Sequence, residues 1–141
     1  MGRTNPSIRA KAVNLVQNLP QKDRLGEIRA LFDFVQNEIR YVRDIHNVET
    51  LHYADQVMAQ ASGDCDDKAI LLASLLEAIG HPARFLAVGF RPGEFSHVIV
   101  ETQIWSPRQK QNVWLSLDPT EPYQMGWRPP GIVETMLRHI K

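Results

Sequence analysis

Cysteine is nearly absent from this chain, which contains Cys65 alone among its 141 residues. A single cysteine excludes an intramolecular disulfide, and it also excludes a zinc site built from several cysteines. Cys65 is therefore an inert packing residue, an intermolecular link or a reactive thiol. The residues that surround it in the sequence have to decide between these three alternatives.

The chain also lacks long apolar runs. The longest one, at residues 69–79, contains Glu77 and is too short to span a membrane. The first six residues include no apolar signal region, and Pro6 stands where a myristoylation signal carries Ser or Thr. We therefore expect no membrane partner and a cytoplasmic location.

An excess of charge of either sign is missing as well. Lys and Arg together number 16, as do Asp and Glu, so the formal net charge is zero. This balance argues against a nucleic-acid partner, because nucleic-acid-binding modules usually carry a strong basic excess. Hydrophobic residues make up 43% of the chain, which is enough to fill one core. The length suits one domain that spans residues 1–141.

Hydrophobic periodicity predicts helices in the first part of the chain and strands in the second. Helices are expected at residues 7–19, 23–42 and 64–79, and strands at 84–90, 96–105 and 112–117. The last amphipathic segment, 132–140, fits either a helix or a strand. The third helix is apolar on every side, which predicts that it is buried on every side. Helices followed by an antiparallel meander indicate an α+β fold.

Cys65 falls in the first turn of the predicted buried helix. Unpaired backbone N–H groups and the helix dipole favour a thiolate at such a position, and Gly63 lets the backbone turn sharply into the helix. The neighbouring Asp64, Asp66 and Asp67 oppose ionisation of the thiol through their negative charge. A reactive Cys65 therefore needs a cationic partner.

His97 and Asp118 are the candidates for the rest of a thiol site. His97 begins a hydrophobic strand, and its imidazolium would offset the acidic neighbours of Cys65. Asp118 follows the next strand, where Pro119 holds it extended and able to orient the imidazole. Taken singly, Cys65 is more often core packing, His97 a strand residue and Asp118 a turn residue. Their order and spacing together favour a Cys-His-Asp triad.

Three sequence motifs carry a resemblance to a known family. They are Gly63-x-Cys65-x-Asp67-x-Ala69, the helix end Gly80-His81-Pro82-Ala83-Arg84, and Trp114-x-x-x-Asp118-Pro119-Thr120, with His97 between the second and the third. In this order and with these gaps, residues 25–121 resemble the core of the transglutaminase-like superfamily. The resemblance implies a papain-like α+β fold, in which N-terminal helices and a central cysteine-bearing helix pack on an antiparallel sheet. It also implies acyl chemistry at Cys65, with His97 as base and acid and Asp118 orienting it.

The family resemblance leaves the reaction open between three alternatives. We favour a hydrolase of amide, peptide or isopeptide bonds that acts through an acyl-enzyme on a protein or peptide substrate. The first alternative is amine transfer by a true transglutaminase. The second is a non-catalytic binding or assembly module, and a small domain of this type would suit a multi-protein assembly such as a bacterial or phage particle.

Several further residues have expected roles around the thiol. The second oxyanion donor, beside the Cys65 N–H, has four candidates, for each of which a solvent-facing polar side chain is the alternative. The papain-like resemblance implies an upstream side chain, Gln60 or Gln56, and the analogy with transglutaminases adds Tyr41 and Tyr53. Asp67 is expected to support the start of the helix, and Trp127 to line a substrate groove. No cofactor is expected; Asp64 and Asp66 are weak candidates for calcium ligands, because calcium requires six or more oxygens and this segment offers few. The histidines at 46, 52, 81 and 139 are expected in loops or at the surface.

Overall fold

Two helices open the fold and pack against each other. In the computed structural model, which describes residues 6–20, 22–41, 62–63 and 65–139, α1 covers Pro6–Val16 and α2 covers Arg24–Glu38. Asp23 caps the start of α2, since its side chain accepts a hydrogen bond from the Gly26 N–H at 3.1 Å.

The predicted extension of α2 to residue 42 was wrong. Ile39 is extended, and Arg40–Tyr41 forms a short strand, β1, which pairs in parallel with β2 at Ser62–Gly63. The apolar stripe continues past Glu38, but pairing with a segment more than twenty residues away replaces the last helical turn. This pairing fixes the backbone just before Cys65 against the end of α2.

The third helix, α3, covers Cys65–Ala78 and lies at the centre of the core. Its apolar side chains are buried around the whole helix, as the sequence predicts: Ala69, Leu71, Leu72, Ala73, Leu75, Leu76 and Ala78. The helix ends before Gly80, whose φ of +89° is a left-handed conformation that favours glycine. Among the described helices, none is long and apolar enough to cross a membrane.

The four strands that follow α3 form one antiparallel sheet. They are β3 at Ala83–Gly89, β4 at His97–Ser106, β5 at Gln111–Leu117 and β6 at Glu134–His139, in the spatial order β5-β4-β3-β6. The last segment is therefore a strand, and it returns across the sheet to pair with β3. One face of the sheet packs on the helices through Ala83, Val100 and Leu117. This arrangement confirms the predicted α+β fold.

A buried charge cluster fastens the segment after β5 to the sheet. Glu101, only 3% exposed, accepts hydrogen bonds from Arg84 Nε at 2.9 Å and from Arg128 Nη2 at 2.8 Å. Arg84 also stacks on the Trp114 ring at 3.8 Å, and Arg128 Nε donates to Ser116 Oγ at 2.8 Å. The cluster ties β3, β4 and β5 to the loop that contains Trp127.

Candidate active site

His97 and Asp118 meet at one end of the sheet. Because β4 and β5 are antiparallel, the start of β4 at His97 lies beside the end of β5, after which Asp118 follows directly. His97 Nε2 lies 2.8 Å from Asp118 Oδ2, and the side chains are 13% and 1% exposed. The carboxylate can only accept, so Nε2 is the ring nitrogen that carries hydrogen. The second carboxylate oxygen, Oδ1, accepts from the Thr120 N–H at 3.1 Å.

Cys65 is the first residue of α3, as the sequence predicts. At a helix N-terminus the backbone N–H groups have no intrahelical acceptor, so they favour negative charge on the side chain there. The side chain of Cys65 lies outside the described part of the structure. The contact between its sulfur and His97 Nδ1 therefore stays a prediction.

Lys68 is a buried lysine in the first turn of α3. It is only 2% exposed, and its Nζ donates to the Gln36 carbonyl oxygen at 3.3 Å. Burial lowers the pKa of Lys68 from its ordinary value, and the negative charge of Asp118 acts in the opposite direction. Lys68 is therefore a basic group whose charge state responds to Asp118.

Gln36 on α2 holds the loop that follows Asp118. Its Nε2 donates to the carbonyl oxygens of Glu121 and Tyr123, both at 2.7 Å. Within that loop the Tyr123 and Trp127 rings stack at 4.3 Å between centroids, with Tyr123 exposed and Trp127 half-buried. Trp127 is thus in the same loop segment that starts at Asp118, which is compatible with the predicted groove role.

Lys68 and Gln36 were missed by sequence reasoning. The sequence signal for Lys68 was present, since a lysine that opens an otherwise apolar, buried helix has to be buried or paired itself. Gln36 offered no signal, because a glutamine near the end of an amphipathic helix is ordinarily solvent-facing. Only the packing of the 119–127 loop on α2 gives it acceptors.

The remaining predicted site residues have mixed outcomes. Asp67 lies buried in the first turn of α3, where the sequence places it. Among the oxyanion candidates, Tyr41 lies in β1 with its side chain not described, and Gln56, Gln60 and Tyr53 lie outside the described residues. For calcium, Asp64 and the side chain of Asp66 are also outside that part. Within it, no group of three or more His, Cys, Asp or Glu residues could hold a metal ion.

His81 was expected in a loop or at the surface. It lies in the loop between α3 and β3, but it is not at the surface. The side chain is fully buried, and its Nε2 donates to Glu27 Oε1 at 2.8 Å. Burial lowers the pKa of His81; the hydrogen bond to Glu27 acts against this, and the charge of Arg24 adds to it. His81 follows the Gly80 turn at the end of α3, and that turn directs its ring towards α2 rather than towards water.

Comparison with solved structures places this fold among known proteins. LapG from Legionella pneumophila, in a calcium-bound form, has a TM-score of 0.67 at 18% identity, over 94% of this chain and 78% of LapG. A candidate cysteine protease from Cytophaga hutchinsonii has a TM-score of 0.59 at 21% identity, over 81% of this chain and 37% of that one. The periplasmic domain of TgpA from Pseudomonas aeruginosa has a TM-score of 0.56 at 28% identity, over 82% and 42%.

The chain thus spans well under half of the Cytophaga hutchinsonii protein and most of LapG. No curated protein sequence matches it. The sequence profile of the transglutaminase-like superfamily matches residues 13–119, a stretch that includes α2, α3, the start of the sheet and the His97–Asp118 pair. The predicted resemblance is confirmed, and the chain belongs to the transglutaminase-like superfamily.

Proposed function

We propose that this chain is a thiol-dependent hydrolase of amide, peptide or isopeptide bonds, with Cys65 as nucleophile, His97 as base and acid, and Asp118 as the residue that orients His97. The observation that supports it most is the 2.8 Å hydrogen bond between His97 and a buried Asp118, formed next to the helix that begins at Cys65. A carboxylate withdrawn from water and bonded to a half-buried imidazole stabilises an imidazolium beside the thiol.

The proposed reaction has two steps. The Cys65 thiolate attacks the carbonyl carbon of the amide; when the C–N bond breaks, His97 gives its proton to the departing amine and a thioester remains. Water then attacks the thioester while His97 takes a proton from it. The C–S bond breaks, which releases the carboxylic acid and restores the thiolate–imidazolium pair. The backbone N–H of Cys65 stabilises the oxyanion in both steps.

Hydrolysis is favoured over amine transfer because the connection between α3 and β4 is too short to form a cover. A transferase has to exclude water and hold a second substrate near the thioester. Between Ala78 and His97 the structure contains β3 and short turns, so this connection holds no insertion for a lid. The loop with the Tyr123–Trp127 stack is fastened to α2 and to the sheet, where it suits one wall of an open groove for an extended peptide.

Calcium has no role in this proposal. LapG was solved in a calcium-bound form, and the calcium candidates that the sequence of this chain offers are Asp64 and Asp66. Two carboxylates supply fewer oxygens than calcium requires. We therefore expect Cys65 reactivity to be the same in calcium and in EGTA.

The thiol is tested without knowledge of the substrate. Cys65 should react with iodoacetamide at pH 7 faster than a free thiol with a pKa of about 8.5, because the helix N-terminus and the His97 imidazolium stabilise the thiolate. The variant His97→Ala should react more slowly, whereas Gln109→Ala, in the exposed β4–β5 turn, should not differ from wild type. Reactivity that rises only above pH 8 in both wild type and His97→Ala would contradict the proposal.

The reaction type is tested with a glutamine-containing peptide library, incubated with and without a labelled primary amine. Hydrolysis should exceed amine incorporation, and Cys65→Ala should abolish both. Stable incorporation that exceeds hydrolysis would replace the proposal with the transglutaminase alternative. Turnover of neither kind, from a protein whose Cys65 is reactive, would favour the binding module.

A further inference from the structure

The residues next to Cys65 in the sequence are acidic, and their charge opposes formation of the thiolate. Asp64, Asp66 and Asp67 adjoin the thiol in the sequence, and Asp118 adds a fourth carboxylate at the end of β5. Asp67 and Asp118 are both buried, so water screens their charge poorly. A cation in addition to the His97 imidazolium would offset part of this charge and favour the thiolate at neutral pH.

Lys68 is placed to be that cation. Its long side chain runs from the first turn of α3 and is 98% withdrawn from solvent, which costs free energy unless the ammonium meets partners. The partner in the structure is the Gln36 carbonyl oxygen, 3.3 Å from Nζ. Gln36 in turn holds the loop that follows Asp118. The negative charge of Asp118, which is the acceptor for His97, acts on Lys68 in favour of the ammonium.

We propose that Lys68 is a positioning residue of the thiol site, whose buried ammonium stabilises Asp118 as the charged acceptor of His97 and compensates part of the negative charge around Cys65. The proposal rests on the proposed function. With Lys68 charged, the Cys65 thiolate, the His97 imidazolium, the Asp118 carboxylate and the ammonium sum to zero; the aspartates next to Cys65 are not part of this sum. Without Lys68, the same four-member set loses one positive charge, and the thiolate becomes harder to form.

Other charged groups around Lys68 do not replace it. On its own helix the neighbour is Asp67, which is acidic. β4 contributes His97, which is hydrogen-bonded to Asp118. α2 contributes the carbonyl group of Gln36, which is neutral. The loop after β5 contributes Glu121, whose backbone oxygen is bonded to Gln36. Among these described groups, Lys68 is the only basic side chain besides His97.

The test measures the pH profile of Cys65 alkylation in the full chain. Lys68→Met removes the charge at similar length, and Lys68→Gln removes it while keeping a donor for the Gln36 carbonyl. In both variants the midpoint of the profile should rise by about one pH unit, as expected for a charge several ångströms away at intermediate dielectric. Lys68→Arg should keep the wild-type midpoint. Lys11→Met, which removes the same charge from α1, should keep it too.

The two uncharged variants separate charge from structure. If Lys68 only bonds structurally to Gln36, the Lys68→Gln variant should have the wild-type midpoint. If its charge matters, the midpoint of Lys68→Gln should rise as much as that of Lys68→Met. Circular dichroism shows which variants are folded, and Lys68→Gln serves alone if Lys68→Met is not. An unchanged midpoint in a folded Lys68→Gln protein overturns this inference and leaves the proposed function intact if His97→Ala still slows alkylation. A wild-type midpoint near pH 8.5 that His97→Ala does not change overturns both this inference and the proposed function.

Discussion

At the scale of single residues, the site is organised around a carboxylate that has almost no contact with water. Asp118 is 1% exposed, yet its two oxygens accept from the His97 ring and from the Thr120 N–H, and its charge interacts with that of Lys68. A buried charge persists only where such partners replace its hydration. The surrounding donors therefore fix both the position and the charge of Asp118, and through it the orientation of His97.

Asp118→Asn tests this charge. The amide keeps the shape of the side chain but cannot stabilise an imidazolium to the same degree, so Cys65 alkylation at pH 7 should fall about tenfold, which corresponds to ~1.4 kcal/mol. The rate with iodoacetamide measures the effect. The matched control is Glu121→Gln, which changes a half-buried carboxylate three residues further along and should leave the rate unchanged. A folded Asp118→Asn protein with the wild-type rate would show that Asp118 has no role in thiol reactivity.

At the scale of elements, His97 is placed by the turn between β3 and β4. The turn folds back against Gly89, where a β-carbon would collide with the Glu94 carbonyl oxygen. The Ser96 N–H donates to the Val88 carbonyl at 3.1 Å, and the Val133 N–H donates to the Gly89 carbonyl at 2.9 Å. His97 follows this turn directly, in register with Val88. The absence of a side chain at Gly89 is therefore part of what sets the start of β4.

Gly89→Ala should displace the turn, because the added β-carbon would collide with the backbone carbonyl group of Glu94, which cannot rotate away. We expect a loss of about 2 kcal/mol in unfolding free energy, typical of overpacking, together with slower Cys65 alkylation. Gly93→Ala is the control in the same turn: its φ is +78° and nothing lies near the added carbon. It should lose about 1 kcal/mol through backbone strain and keep the alkylation rate. Urea unfolding and iodoacetamide rates separate the two variants, and equal rates would contradict this role of Gly89.

At the scale of the whole molecule, the helical layer contains a buried histidine that couples stability to pH. His81, after α3, bonds through Nε2 to Glu27 on α2, and its Nδ1 has no hydrogen-bond partner among the described residues. Protonation would place a proton on that buried nitrogen. Because burial lowers the pKa of His81 in the folded chain, the unfolded chain binds more protons as the pH falls.

The contribution of His81 to the unfolding free energy should therefore be constant above about pH 6.5, the ordinary pKa of histidine, and decrease below it. The slope from this one group is at most about 1.4 kcal/mol for each pH unit. Urea unfolding between pH 5 and 7.5 measures the curve for wild type and for His81→Gln. The variant is less stable at pH 7 but should lack this contribution to the slope. Parallel curves over the whole range would show that His81 does not control it.

Much of this architecture follows from local sequence patterns. An apolar run of this length that leaves no polar face predicts a buried helix. Gly80 and Pro82 predict where that helix ends, and in the structure its last residue is Ala78. The turn residues between the strands fix an antiparallel order, and this order alone brings the start of β4 beside the end of β5. Hence the His97–Asp118 pair was predictable from spacing, without knowledge of any side-chain position.

Other features depended on contacts between segments far apart in the chain. The apolar stripe that predicts α2 as far as residue 42 contains no signal for the β1–β2 pairing. The segment 132–140 fits a helix or a strand by its sequence, and β6 forms there because β3 has an unpaired edge with which it can pair. Gln36 and His81 are polar residues that local patterns assign to water, whereas the apolar helix that Lys68 opens indicates that this lysine is buried or paired. The partners that each of them meets depend on how the folded chain packs; they are the Gln36 carbonyl, the loop after Asp118 and Glu27. The sequence by itself therefore determined the main helices, the strands β3 to β5, the order of the proposed triad and the acidic residues next to Cys65. The tertiary structure alone decided which partners Lys68, Gln36 and His81 have, because burial and charge pairing are properties of packed segments.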